Sequence, residues 1–252
     1  MTAVRIAVWL AAIALAGCAT QPGARNRDKD PEKLAELHVQ MAAEYMRQGN
    51  FETAMNRLGK ALDYDRNYAP AHSTLGILYN RLGDNAKAEK HFRDAAALAP
   101  NDSSVLNNYG QFLCQQGRYD EGMSMFERAL ANPLYRAPAV AHTNAGLCAL
   151  ARGDNATAEQ RFRDALQLEP KFAPALLQMC RQSLEAGEHL SARAYLQRYL
   201  EVADHTAQTL WMGVRIERAL GDRDTAGGYA LLLRSRFPDS DEARMLQESG
   251  GS

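Results

Sequence analysis

Gly49, Gly83, Gly117, Gly153, Gly187 and Gly221 follow one another at intervals of 34, 34, 36, 34 and 34 residues. No other feature restricts the fold so tightly, because a fixed period of this length means one supersecondary unit copied in series. Glycine suits a backbone that must turn with positive φ, so each of the six marks a tight turn between two helices. The chain around them is rich in Ala, Leu, Arg and Glu, all good helix formers. Hydrophobic residues are 46% of the 252, enough for a continuous core. A single hairpin could not bury its apolar face, so the units must stack.

The flanking residues keep the same register. Seven positions before the glycines stand Ala42, Gly76, Gly110, Gly146 and Cys180, small side chains that let paired helices approach. The last unit has Val214 there, with Gly213 one place earlier. Five positions after the glycines come Ala54, Ala88, Gly122, Ala158, Ala192 and Ala226, and nine after come Leu58, Phe92, Phe126, Phe162, Leu196 and Ala230. These two sets lie four residues apart and share one face of a second helix. Gly83-Asp84-Asn85-Ala86 and Gly153-Asp154-Asn155-Ala156 place a capping side chain at that helix's start. Pro100, Pro170 and Pro238 close three units, and the two extra residues of the irregular interval fall in residues 132–138 as a longer loop. The expected fold is all-α, a right-handed solenoid of six tetratricopeptide-type helix-turn-helix repeats over residues 31–248.

Residues 1–17 differ in kind. After Arg5, residues 6–16 are an unbroken apolar run, about half the length of a spanning helix, as in the core of a signal peptide. The run ends in Leu15-Ala16-Gly17-Cys18, which looks like a bacterial lipobox. In such signals the cysteine is acylated and becomes the mature N-terminus, so Cys18 is the expected lipid anchor. Ala19 follows it, not the Asp associated with inner-membrane retention, which favours the inner leaflet of the outer membrane. An ordinary secretory signal is the alternative, although no A-x-A cleavage site is better placed. Residues 18–30 are polar, with Pro, Gly and mixed charges, and read as a flexible tether.

Nothing in the body signals chemistry. Lys plus Arg is 29 and Asp plus Glu is 30, a balance that argues against a nucleic-acid partner. No G-x-S-x-G, P-loop, H-E-x-x-H or C-x-x-C motif occurs. The acidic pairs Asp28/Asp30 and Asp239/Glu242 fall in terminal segments and read as solvated. No enzyme activity, small-molecule substrate, cofactor or metal is expected. His38, His72 and His142 recur at one repeat position, but equivalent sites in stacked hairpins are roughly 10 Å apart and cannot share an ion. His91, His189 and His205 show no ligand spacing. Cys180 occupies a small-residue slot and is expected in the core. Cys114 and Cys148 fall near the ends of neighbouring first helices; the spacing admits a disulfide, and it equally admits two small buried thiols.

In this architecture the first helices line a wall that takes other polypeptides. Its expected exposed residues are Val39, Ala43 and Met46, then Ser73, Ile77 and Asn80, then Asn107 and Gln111, and finally Val140, Thr143, Leu147 and Leu150. This mixture of aliphatic and amide side chains suits an extended or helical segment with apolar anchors. Ser73, Ile77, Asn107 and Gln111 stand where a carboxylate-clamping module would carry Lys, Asn and Arg, so no such clamp is expected. Arg215 and Arg218 beside Trp211 leave two readings of the last unit open, a cap or a second contact surface.

Three stretches carry a narrower likeness: Val105-Leu106-Asn107-Asn108-Tyr109-Gly110-Gln111-Phe112-Leu113-Cys114, Asn144-Ala145-Gly146-Leu147-Cys148-Ala149-Leu150, and Asp222-Arg223-Asp224-Thr225-Ala226 with Phe237-Pro238-Asp239-Ser240. With a lipobox and six repeats, the whole chain resembles the type IV pilus biogenesis lipoproteins PilF and PilW. That resemblance implies a pilotin, which accompanies the pilus secretin (PilQ-like) to the outer membrane and promotes its multimerisation, anchored through acylated Cys18. A scaffold lipoprotein serving β-barrel assembly or cell-wall hydrolases is the alternative among binding modules.

Overall fold

The computed structural model describes residues 30–249, and every regular element among them is an α-helix. The segments read as signal, Cys18 and most of the tether lie outside the described residues. Six hairpins follow in order: α1 (Pro31–Arg47) with α2 (Phe51–Tyr64), α3 (Ala69–Arg81) with α4 (Asn85–Leu98), α5 (Ser103–Gln115) with α6 (Tyr119–Leu130), α7 (Pro138–Arg152) with α8 (Asn155–Leu168), α9 (Ala173–Glu185) with α10 (His189–Leu200), and α11 (Ala207–Ala219) with α12 (Arg223–Arg236). A short helix, α13 (Asp241–Ser249), follows.

Each hairpin turns on its periodic glycine, and all six have φ between 75° and 89°. A side chain would be strained in that conformation, which explains why the period is written in glycine. In four hairpins the next residue but one to the glycine's predecessor, Asn50, Asp84, Asp154 or Asp222, accepts the N–H of the residue three further on and so caps the second helix. Pro70, Pro138 and Pro174 sit in the first turns of α3, α7 and α9, where a missing N–H costs nothing. Asp30, expected to be merely solvated, caps α1 by accepting the Glu32 N–H.

Within a hairpin, the small residue of the first helix is matched by volume to the large one of the second. Glycine faces an aromatic ring: a Cβ would stand 2.8 Å from Phe92 at Gly76, 2.9 Å from Phe126 at Gly110 and 2.5 Å from Phe162 at Gly146. Where the small residue is Ala42 or Cys180, the partner in the same core cluster is the slimmer Leu58 or Leu196. The sixth hairpin obeys the rule one residue out of step, because a Cβ at Gly213 would stand 2.8 Å from Tyr229. Val214 and Ala230, expected in those roles, are therefore displaced from them, since both helices have shifted register together.

The hairpins stack into a solenoid. The first helices α1, α3, α5 and α7 pack in series, the last three also resting on the preceding second helix. At the next junction α9 lies chiefly on α8, so the close series of first helices runs over four hairpins and loosens before the fifth. The last two hairpins meet chiefly through α10 and α11, where Arg193 grips the buried Glu217 with a 2.9 Å bond from Nε and a second from Nη2. α13 closes the far end: Ala243 and Leu246 bury against Leu210, Val214 and Leu233. The segment carrying Glu242 is thus a capping helix and not a loose tail, because the exposed apolar edge of a terminal repeat needs a cover.

Candidate protein-binding groove

The wall over α3, α5 and α7 is built by two kinds of contact. Side-chain amides form rungs between successive first helices: Asn108 Nδ2 donates to Ser73 Oγ at 3.1 Å, Asn144 Nδ2 to Asn107 Oδ1 at 3.1 Å, and Asn80 Nδ2 to Gln115 Oε1 at 2.6 Å. Cys114 and Cys148 add a disulfide between α5 and α7, with Cα atoms 5.5 Å apart. These ties hold three helices in fixed register, so a surface laid across them is rigid before anything binds.

The rungs explain where the expected wall residues go. Ser73, Asn107, Thr143 and Met46 are at most 5% exposed, so these four do not face a ligand. Ser73 and Asn107 accept the amide rungs. Thr143 donates to the Ala139 carbonyl one turn back at 2.8 Å, and Met46 packs with Leu75 and Leu78. A buried polar group must be hydrogen-bonded, and here the neighbouring helix supplies the partner. Ala43, Gln111 and Leu147 are exposed, and Val39, Ile77, Asn80, Val140 and Leu150 are half-buried.

The ladder also accounts for the break in the wall. In the second and third hairpins the residue ten before the turn glycine accepts from the residue nine before the next one, giving Ser73–Asn108 and Asn107–Asn144. The next rung would join Thr143 to Gln178. Thr143 uses its hydroxyl within its own helix, and Gln178 Oε1 is buried without a partner. This ladder therefore does not reach the fifth hairpin, which is joined to the fourth through α8, where the Asn155 carbonyl oxygen accepts from Gln182 Nε2 at 3.4 Å.

A recess of about 160 Å³ opens beside the disulfide, lined by Gln111, Gln115, Asn144, Leu147, Ala151 and the two bridged cysteines. Leu147 is 39% exposed at its rim. It offers an apolar floor with amide edges, which suits one aliphatic anchor of a bound chain and its flanking peptide groups. Gln115, Asn144 and Ala151 are not among the expected wall residues. The recurrence of Asn108 and Asn144 nine residues before a turn glycine was the signal that could have found the rungs.

Three further placements differ from or extend the expectations from sequence. His91, which shows no ligand spacing along the chain, meets His72 across the second hairpin with their Nδ1 atoms 3.1 Å apart, and Asp94 joins them. Burial and the adjacent His72 hold the His91 imidazole below its usual pKa. Cys180 is fully buried, and burial pushes its thiol up to about 12, as befits a core residue. Arg218 donates to Ser249 of α13 at 3.0 Å and so belongs to the cap, whereas Arg215 is exposed beside Trp211 and Met245. No described helix is long and apolar enough to cross a membrane.

Comparison with known proteins adds the following. Tetratricopeptide-repeat family profiles match residues 45–107, 149–210 and 102–170. The type IV pilus assembly protein PilF of Pseudomonas aeruginosa is 31% identical over 250 residues, which are 98% of this chain and 99% of that one. The crystal structure of PilW, described as a widely conserved type IV pilus biogenesis factor, superposes with a TM-score of 0.76 at 32% identity, over 85% of this chain and 99% of the other. The structure of Pseudomonas aeruginosa PilF gives 0.75 at 30% identity, over 87% and 99%.

Proposed function

This chain belongs to the PilF/PilW family of tetratricopeptide-repeat proteins in type IV pilus biogenesis, and on that footing we propose that it is an outer-membrane lipoprotein that binds the pilus secretin and promotes its localisation and multimerisation there. The repeat fold of this family is a protein-binding scaffold. The observation that carries the reading is the pre-set wall of α3, α5 and α7, which presents exposed Gln111 and Leu147, half-buried Ile77, Asn80, Val140 and Leu150, and the recess between the last two helices. A rigid wall of that kind takes a peptide segment without the ordering cost of forming its own site. Acylated Cys18 would hold the wall at the inner leaflet, where an unassembled secretin subunit arrives. Several acyl chains are needed for lasting attachment, because each buried methylene contributes about 0.8 kcal/mol.

Two variants separate the anchor from the groove. Cys18→Ala is expected to leave a folded body free in the periplasm and a secretin that no longer forms normal heat-resistant rings in the outer membrane, read by fractionation and gel mobility. Normal rings with that variant would remove the anchoring role. Leu147→Arg places a charge at the rim of the recess without entering the core, so the circular-dichroism spectrum should be unchanged. Its capture of secretin fragments should weaken at least tenfold. Undiminished capture by the folded variant would overturn the groove assignment, and capture of barrel-assembly components or amidases in place of the secretin would favour the scaffold alternative.

A further inference from the structure

We propose that His72, His91 and Asp94 form a binding site for a divalent transition-metal ion of the zinc type, joining the two helices of the second hairpin. His72 stands near the start of α3, and His91 and Asp94 lie three residues apart on one face of α4. One ligand atom from each falls within 4.8 Å of the other two. His72 Nδ1 is 3.1 Å from His91 Nδ1 and 3.8 Å from Asp94 Oδ2. Tetrahedral zinc with bonds of about 2.0–2.1 Å to nitrogen sets neighbouring donors about 3.3 Å apart, so the two imidazoles already stand at the edge length of such a site. The Asp94 carboxylate is 42% exposed and free to swing the remaining distance.

The second observation concerns the outer contacts. His72 Nε2 lies 3.1 Å from the Arg66 carbonyl oxygen, which can only accept, so the proton sits on Nε2 and Nδ1 presents a bare lone pair. Metal-binding histidines are oriented in this way, with the far ring N–H given to a carbonyl or carboxylate. The His91 ring is held by stacking on Tyr79, with centroids 5.4 Å apart and planes within 7°. Without a metal, the His91 Nδ1–H donates to His72 Nδ1; an ion would take the place of that single proton. Two imidazoles and one carboxylate favour zinc, copper or nickel over magnesium or calcium, which prefer all-oxygen sites. A fourth position is left for water or a group from a partner.

The repeat supplies an internal control. In the fourth hairpin His142 and Asp164 occupy the same offsets, with His142 Nδ1 3.6 Å from Asp164 Oδ2, but Arg161 stands where the second hairpin has His91. The His–Asp pair is therefore ordinary packing of this fold, and the third ligand makes the second hairpin different. A His91→Arg variant copies a residue that the same fold already accommodates, so it should fold.

The test is calorimetric titration of the full chain, carrying no histidine tag, with zinc chloride. The parent is expected to take up one ion per chain, with a rise in melting temperature. His91→Arg should bind at least tenfold more weakly and lose that rise, and His142→Ala should behave as the parent. No uptake by the parent, or uptake that His91→Arg leaves unchanged, would overturn the proposal and leave the trio as a hydrogen-bonded packing contact.

Discussion

Phe162→Ala is expected to destabilise the body by about 3–5 kcal/mol, the range for removing a large aromatic from a closed core. Phe162 has no exposed surface and shares its core cluster with Ala149 and Ala158 of its own hairpin and with Ala175, Leu176 and Met179 of the fifth. Its ring lies where a Cβ at Gly146 would fall, so no side chain of the first helix can collapse into the gap. The loss should exceed that of the hairpin alone, because the same ring supports α9 at the junction where the first-helix ladder is broken. Equilibrium denaturation by urea, followed by circular dichroism, measures it. The volume rule gives a sharper form of the experiment. Gly146→Ala should cost about 1–3 kcal/mol through overpacking against the ring. Combined with Phe162→Leu it should cost less than the sum, because the pair then copies Ala42 with Leu58 in the first hairpin. Strict additivity of the two changes would refute the matching.

Removing the Cys114–Cys148 bond is the second large effect. It closes a sequence separation of 34 residues, and the chain-entropy argument for a loop of that size gives about 3–4 kcal/mol. Cys114→Ala/Cys148→Ala should lower the urea midpoint accordingly, and reduction of the parent should do the same. A neighbouring glycine reports on the same bond. Gly122 holds a position where the other hairpins carry Ala54, Ala88, Ala158, Ala192 and Ala226. A Cβ there would run into Cys114 Sγ and come within 2.9 Å of the Gly110 carbonyl oxygen. Gly122→Ala should therefore cost about 1–3 kcal/mol in the bridged protein. In the chain without the bridge the sulfur is gone and alanine is the better helix former by about 1 kcal/mol, so the cost should fall, leaving the part that comes from the Gly110 carbonyl oxygen. An equal cost in both backgrounds would show that the sulfur is not what excludes the side chain.

The groove shows where reading along the chain reaches its limit. Exposure of a first-helix residue depends on the next hairpin, 34 residues away, and that neighbour buries Ser73 and Asn107 under amide rungs. The histidine trio escaped for the same reason: His72 and His91 are 19 residues apart and meet only because one hairpin folds back on itself. The sixth hairpin deceived the register because Gly213 and Tyr229 moved together by one residue, which preserves their contact while breaking the alignment with the other five. α13 escaped because its buried apolar residues, Ala243 and Leu246, are too few to declare a period within nine residues.

The unit, its number and its turns are legible in the order of residues alone. Those are local matters: a positive φ calls for glycine, an exposed first turn for a capping side chain, and a fixed apolar spacing for one buried helix face. Folding in three dimensions settles which wall residues are left exposed, that α5 and α7 are bonded through sulfur, and that the close first-helix series loosens before α9. Each of these depends on the distance and angle between successive hairpins, which the packing of side chains from two separate repeats sets and no single repeat encodes.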